Sequence, residues 1–487
     1  MKSSILTLFA AGMAMLTITA SGFADEIPAG FDVFFNDAQH SQSNGIDTAL
    51  AALIDSAEIS VAGAFYSIER SIIADAFIAA ANRLGVDQVR IITDAHYRGQ
   101  SGCRRMEEAG LHIIDETCDG WDDDDLNSHH KFCVIDGQIV WTGSYNITNS
   151  GTIYNNNNAV QIDCVDLADA YLTEFNEMWG GTSGPPGICR FSTHKTTQVD
   201  HHLTCNGVNL DVYFSPTNDP EPDTAYFALL NMLESATQSI YFCMYTFTQS
   251  GLASKLIQRH QAGVTVRGVM DDSQAQSGYS VYDMLINNAI DVKLDDEVTP
   301  HANLMHHKFA VVDPGNTWAS VATGSYNWTL SAQTSNDENT LIIHDPAIAM
   351  AFYTEWHRGY FGTNPGPTEP VIDLIINEVV FTPGHFFNCR AEVSNPQSAS
   401  ISFDEYIILD IGEPFGADRF YFWPTWSKDA AGKRFILSGN TSLNQDILQF
   451  IVPADMPACG PYTLWAGLLG TSGALLGDID FVTFQFE

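Results

Sequence analysis

The sequence predicts an α/β protein made of two copies of one β-α-β-α unit. Each copy carries a mixed sheet, the two pack as an internal pseudo-dimer, and a C-terminal β-sandwich follows. Three observations lead there. A series of apolar segments in the first half recurs in the same order in the second. Each series ends in the same uncommon spacing of polar residues. Beyond residue 371 the pattern changes to short alternating runs separated by Pro, Gly and Asn.

The chain opens with one lysine, Lys2, an apolar run from Ile5 to Ala20, and small residues at Gly22 and Ala24. That pattern is read as a signal peptide over residues 1–24, and the expected location is secreted or periplasmic. The first lobe is expected over residues 25–185. Phe31–Phe35 is its first strand, and DTALAALIDSA has helical periodicity. ISVAGAFYSI is a buried strand, IIADAFIAAANRLGV a second helix, and VRIITDA a strand ending at Asp94. A linker over residues 186–205 begins in the Gly- and Pro-rich GGTSGPPG. The second lobe, 206–364, repeats the series as LDVYF, FALLNMLESAT, SIYFCMYTFT, LASKLIQRHQAGV and VRGVMDD, which ends its strand at Asp271. GTNPGPTEP then breaks the chain. Residues 371–487 read as an antiparallel sandwich, an accessory module without a catalytic constellation.

The motif in the first copy is HHKFCVIDGQIVWTGSYN, His129 to Asn146. The second is HHKFAVVDPGNTWASVATGSYN, His306 to Asn327. Residues i and i+2 of a strand share a face, so His129 projects with Lys131 and His306 with Lys308. By the same alternation His130 and His307 point to the other face and are expected to be structural. After a Gly-Ser turn, Ser144 pairs with Asn146 and Ser325 with Asn327 at the same spacing. Each copy thus offers an imidazole, an ammonium, a hydroxyl and an amide. This set suits a phosphoryl group: the cation and donors meet its oxygens, and the imidazole does covalent or proton chemistry. Two copies supply an imidazole for each side of an in-line displacement.

From about Phe31 to Phe361 the chain resembles the phospholipase D superfamily, and the two motifs carry the resemblance. The resemblance implies one composite site between two lobes. One histidine, most often that of the first motif and hence His129, attacks phosphorus and forms a phosphohistidine. The other protonates the leaving alcohol and then activates water. Lys131, Lys308, Asn146 and Asn327 hold the phosphoryl oxygens. Asp136 and Asp313 belong to the motif and are expected to orient its members. No metal or other cofactor enters this scheme. The family often places a carboxylate shortly after the Gly-Ser turn to orient a histidine. Glu338 stands there in the second copy, but Asn157 in the first, so the two histidines are expected to differ in basicity.

The substrate is read from charge. The chain has 21 Lys+Arg against 59 Asp+Glu, a net charge of -38. Such a surface repels nucleic acid and anionic membranes at long range, and its simplest cause is solvation. Acidic stretches precede both motifs. Trp121 stands beside Asp122, Asp123, Asp124 and Asp125, and Asp295, Asp296 and Glu297 precede the second. They are read first as solvated loop tips, then as a holder for a quaternary ammonium or a calcium ion. The favoured activity is hydrolysis of phospholipid head groups, with contact to a membrane surface. Other readings stay open: an exported metal-independent endonuclease acting on DNA or RNA, a phosphatidyltransferase, or a non-catalytic surface-binding protein. The expected state is a monomer with an internal pseudo-dimer.

All nine cysteines lie beyond the signal segment. Export favours disulfides. The expected pairs are Cys103 with Cys118 and Cys389 with Cys459, with Cys243 a buried thiol.

Overall fold

The computed structural model describes residues 27–36, 38, 42–120, 127–196, 198–295 and 304–361. Beyond these it describes 371–376, 380–395, 401–410, 420–422, 425, 433–437, 441–453, 459–470 and 475–486. Residues 1–24, read above as a signal peptide, Trp121 and the acidic Asp122–Asp125, Asp296 and Glu297, and the break at 362–370 lie outside the described residues. Among the described residues, no helix is long and apolar enough to cross a membrane.

The first lobe is a seven-stranded mixed sheet. Its strands are β1 (Phe31–Phe35), β2 (Val61–Phe65), β3 (Val89–Ile92), β4 (His112–Ile114), β5 (Lys131–Ile135), β6 (Ile139–Gly143) and β8 (Asn158–Asp163), with the two-residue β7 (Asn155–Asn156) just before the last. The order is β1-β8-β6-β5-β2-β3-β4. β2, β3 and β4 run parallel, and the rest of the sheet is antiparallel. Helices α1 (Ile46–Asp55), α2 (Ser71–Leu84), α3 (Ser101–Glu108) and α4 (Val165–Trp179) cover it. The α4 helix buries Leu167, Ala168, Tyr171, Phe175 and Met178, at the three-and-four spacing of an amphipathic helix.

The second lobe repeats this order. Its strands are β9 (His202–Cys205), β10 (Val208–Ser215), β11 (Ser239–Met244), β12 (Thr265–Met270), β13 (Asp291–Leu294), β15 (Lys308–Val312), β16 (Ser320–Gly324) and β17 (Glu338–His344). They align as β13-β12-β11-β15-β16-β17-β10-β9. Its covering helices include α5 (Ala225–Ser235), α6 (Ser250–Gln261) and α7 (Pro346–Phe361). The extra strand β9 falls where the sequence predicted linker. It pairs with β10 through a hairpin at Asn206-Gly207, both at positive φ (51° and 87°), a turn that Asn-Gly adopts readily.

The lobes share one core. Phe132, Tyr171 and Phe175 of the first lie in the same buried cluster as Phe214, Phe309 and Trp356 of the second. Tyr171 meets Phe214 edge-on at 5.1 Å, and Phe35 meets Phe352 at 5.1 Å. A short parallel pairing joins β7 to β14 (Leu304–Met305) across the junction.

The cystines differ from the sequence expectation. Cys118 bonds Cys189, and Cys164 bonds Cys205. Cys103 is a buried thiol instead, because it sits on the inner face of α3 with its sulfur toward the Ile68 carbonyl. Cys243 is buried and unpaired as expected. The proposed partner of Cys389 is Cys459, whose side chain lies outside the described residues.

The C-terminal unit has two sheets, β18-β20-β24 and β19-β26-β25-β21-β22, with β23 on β21. Here β18 is Val371–Ile376, β19 Val380–Phe381, β20 Phe386–Asn395, β21 Ile401–Asp410 and β22 Phe420–Phe422. β23 is Lys433–Leu437, β24 Thr441–Ile451, β25 Cys459–Gly470 and β26 Leu475–Phe486. Phe387, Ala391 and Val393 of one sheet share a core with Phe403, Ile407, Leu464 and Leu468 of the other. The sandwich is antiparallel except where β19 lies parallel to β26.

Candidate active site

β5 and β15 start at the two motif lysines, and each histidine stands two residues ahead on the same side. Strand pairing fixes this: Tyr66 N–H donates to the His130 carbonyl (2.8 Å), and Tyr245 N–H to that of His307 (2.9 Å). Lys131 folds back so that Nζ donates to the His129 carbonyl at 2.7 Å, and Lys308 does the same to His306 at 2.8 Å. Each pair lies beside a tyrosine. Tyr66 is 4.6 Å from the His129 ring and 5.1 Å from Lys131 Nζ; Tyr245 is 4.8 Å from His306 and 5.0 Å from Lys308 Nζ. The tyrosines follow β2 and β11, and the histidines were found without them because no motif marks them.

The two copies meet by exchange. His129 Nδ1 pairs with Glu338 Oε2 of the other lobe at 2.8 Å, and His306 Nδ1 with Asn157 Oδ1 at 2.8 Å. The Asn157 amide is oriented by its own bonds, since Nδ2 donates to the Gly151 carbonyl at 2.9 Å. Its Oδ1 therefore faces His306 as an acceptor. Both imidazoles thus carry their hydrogen on Nδ1 and leave Nε2 free for chemistry.

The serines do something other than meet phosphate. Ser144 Oγ donates to Asn157 Oδ1 at 2.9 Å and accepts from Asn158 N–H at 3.0 Å. Ser325 Oγ accepts from Asn339 N–H at 3.0 Å and also favours the ionised form of Glu338. They hold the partners of the opposite histidines. The preceding glycines allow this close approach: a Cβ on Gly143 would lie 2.4 Å from the Asn158 carbonyl oxygen, and one on Gly324 2.3 Å from that of Asn339. Asn146 and Asn327 are half-buried. Asn146 Oδ1 has no protein partner among the described residues, and Asn327 Oδ1 accepts weakly from Thr246 N–H at 3.4 Å.

Asp136 and Asp313 correct the sequence reading. Each follows the far end of its strand, about 17 Å from the lysine at the rise of a strand, so neither orients a histidine. Asp136 accepts the backbone N–H groups of Glu58, Ile59 and Ser60 at 2.7–2.9 Å. Asp313 accepts those of Thr237, Gln238 and Ser239, plus the Trp318 indole N–H. Both sit at positive φ, 57° and 48°, which Asp tolerates better than most residues. They tie the entry of β2 and β11 to the strand beside it.

His130 and His307 are structural, as expected. His130 Nε2 pairs with Glu174 at 3.0 Å and His307 Nε2 with Glu355 at 2.9 Å, each on the helix behind its sheet.

Burial sets the electrostatics. It holds the His129 and His306 imidazoles well below the ordinary range, and the charges of both lysines add to the effect. It brings the Lys131 ammonium down to about 7 against the pull of Glu338 and Asp94. Burial and the charge of Lys131 hold the Lys308 ammonium well below the ordinary lysine range. Glu338 is raised by burial to about 7, against the pull of Lys131. The site thus disfavours positive charge on its lysines and histidines, and an entering phosphodiester anion favours their protonated forms. Asp94 and Asp271, the strand-end carboxylates of the repeat, contribute to this field. The repeat had located them, but their nearness to the lysines is tertiary.

Asp94, His96 and Glu116 bring ligand-type atoms within 4.8 Å of one another. Both Glu116 oxygens face Ala95 N–H at 3.1 Å and Asp94 Oδ1 accepts from His96 N–H at 3.0 Å, while Asp94 Oδ2 is buried with no hydrogen-bond partner among the described residues. Asp295, expected on a solvated loop tip, is buried and accepts Asp272 N–H at 2.7 Å, so it belongs to the fold.

The model of the family described as "Cardiolipin synthase, PLD-like domain" matches residues 50–179 and again 229–358. A mitochondrial cardiolipin hydrolase of Xenopus tropicalis is 36% identical over 139 residues, covering 28% of this chain and 62% of that protein. A phospholipase D of Rickettsia typhi is 29% identical over 162 residues, covering 33% of this chain and 73% of that one. Among solved structures, Nuc of Salmonella typhimurium, a phospholipase D family member, is 28% identical. It covers 31% of this chain and 93% of that one, at a TM-score of 0.26. The match to the cardiolipin hydrolase spans about three fifths of that relative's length. With one family model satisfied twice over more than half its length, and both copies contributing to one site, the chain belongs to the phospholipase D-like family.

Proposed function

We propose that this chain is an exported phosphodiesterase that hydrolyses phospholipid head groups through a phosphohistidine. The exchanged pairing of His129 with Glu338 and His306 with Asn157 carries the reading. His129 Nε2 attacks phosphorus, the P–O bond to the alcohol breaks, and Glu338 balances the imidazolium that results. His306, whose charged form the entering phosphodiester anion favours, takes a proton from solvent at Nε2 and gives it to the leaving alkoxide. Its amide partner orients the ring without fixing a charge on it, which suits a group that must release a proton. Water then loses a proton to His306 Nε2 and attacks phosphorus, and the His129–phosphorus bond breaks. Lys131 and Lys308, with the Asn146 and Asn327 amides, meet the non-bridging oxygens.

Lipid is favoured because a net charge of -38 opposes a long polyanion, and because curated relatives are named for cardiolipin and phospholipid hydrolysis. Two cystines suit an oxidising compartment and support export. The test is the mature protein assayed in EDTA on phosphatidylcholine, cardiolipin, single-stranded DNA and RNA side by side, with rapid-quench labelling. Lipid turnover and a labile phosphate on His129 are expected. Turnover of nucleic acid alone would replace the substrate reading. Loss in EDTA reversed by a transition metal would overturn the mechanism.

A further inference from the structure

Behind each site histidine the two lobes are built alike up to one position. Glu174 on α4 holds His130, and Glu355 on α7 holds His307. Three residues further along α7, Arg358 neutralises Glu355, with Nε at 2.9 Å from Oε2. The same guanidinium donates to the Asn36 carbonyl at 3.1 Å. The Asn36 side chain in turn accepts Asn157 N–H at 2.7 Å, so Arg358 is two bonds from the partner of His306.

Three residues further along α4 stands Glu177, an acid where α7 has a base. The missing cation comes from outside the repeat. Lys195, in the segment between the lobes, is buried with its Nζ on Glu174 and 2.7 Å from Asp337 Oδ1. Burial opposes its charge, but Asp337 and Glu174 outweigh burial and hold the ammonium above the ordinary lysine range. Glu177 grips the next residue instead, accepting from Thr196 N–H at 2.6 Å and Thr196 Oγ1 at 2.9 Å. Ser192 also reaches the second lobe: its N–H donates to Asp337 Oδ1 at 2.8 Å and its Oγ to the Ser335 carbonyl at 2.7 Å. Asp337 N–H donates to the Asn127 carbonyl at 2.9 Å, two residues ahead of His129. The residue after Asp337 is Glu338. Cys189–Cys118 fastens the start of this segment to the first lobe.

We propose that the inter-lobe segment is a working part of the site, with Lys195 a positioning residue that holds Asp337, and through it Glu338, against His129. Such an arrangement makes the His129 side of the site depend on a segment the duplication did not supply. The His306 side is held from within the repeat, by Arg358 and Asn36.

The inference rests on the reading of His129 as nucleophile, so its test has a readout besides turnover. In the full oxidised chain with 15N-labelled histidine, the Nδ1–H proton of His129 reports its bond to Glu338. Lys195→Met should move that resonance toward its position in Glu338→Gln and leave the His306 resonance in place. It should lower kcat about 10- to 100-fold, the scale of a small misplacement, with KM nearly unchanged. Adding Lys195→Met to Glu338→Gln should cost nothing more, because the two act through one contact. Asp337→Asn, which keeps the shape and weakens the hold of Lys195, should shift the same resonance less, and serves if Lys195→Met does not fold. An unmoved His129 resonance, equal movement of both histidines, or independent losses in the double variant would overturn the proposal. If the wild type turns over no phosphodiester, the functional reading falls, while the resonances still decide the role of Lys195.

Discussion

At the scale of single residues, the site is a set of cations held close to losing their protons. Lys131 stands at about 7 in the empty site, against an ordinary lysine value of 10.5. The unfolded chain therefore binds more protons than the native one between these values. Native stability contributed at this residue rises with pH across that window, and the deficit is fully present below it. An anion in the site reverses the sign by favouring the charged form. Binding of vanadate or inorganic phosphate at pH 8 is therefore expected to take up protons. Calorimetry in buffers of different ionisation enthalpy checks this. Heats independent of the buffer would mean the lysines are already charged in the empty site. The histidines obey the same logic in a lower window. Their lowered pKa values mean that stability is lost as pH falls below about 6.5, where the unfolded imidazoles gain protons and the native ones do not.

At the scale of elements, each motif has two ends with different duties. The start of β5 or β15 carries chemistry, and the aspartate after its far end carries architecture. Asp313 is fully buried and satisfies three backbone N–H groups together with the Thr237 hydroxyl and the Trp318 indole. Asp313→Ala would leave these donors buried and unpaired, at a cost of about 3 kcal/mol or more. Urea denaturation should show that loss of stability. The rate per folded molecule should stay within about threefold of the wild type, because no site group touches this carboxylate. A rate loss like that of His129→Ala, with stability unchanged, would return the aspartate to the site.

At the scale of the molecule, Cys118–Cys189 fastens the segment between the lobes to the first lobe, and Cys164–Cys205 ties β9 of the second lobe to the first. They span 71 and 41 residues of sequence. By loop closure each is worth about 4 kcal/mol. Non-reducing peptide mapping should recover Cys118 with Cys189 and Cys164 with Cys205, with Cys103 alkylated only after denaturation. The pair Cys164→Ser/Cys205→Ser should lower the melting temperature by several degrees. A recovered Cys103–Cys118 peptide would overturn this connectivity.

Much of this protein was legible from residue spacing. The repeat predicted two like sheets, and period-two alternation put His129 with Lys131 and set His130 aside. The alternating runs after Val371 gave the sandwich. These features are local, or recur at a fixed offset, so a one-dimensional pattern carries them. The rest required the chain to close on itself. Glu338 and Asn157 were both visible after their Gly-Ser turns, but that each serves the histidine of the other lobe follows from the packing of the lobes. The aspartates look like site residues in the motif and turn out to be anchors, because strand length separates them from the lysines. The cystine partners are 71 and 41 residues apart, and no spacing rule reaches that far. Lys195 has no counterpart in the repeat, and only its burial between Glu174 and Asp337 marks it. The sequence by itself determined the two sheets and the four groups at the heads of β5 and β15. The tertiary structure decided which carboxylate meets which imidazole, because that pairing is made across an interface between distant parts of the chain.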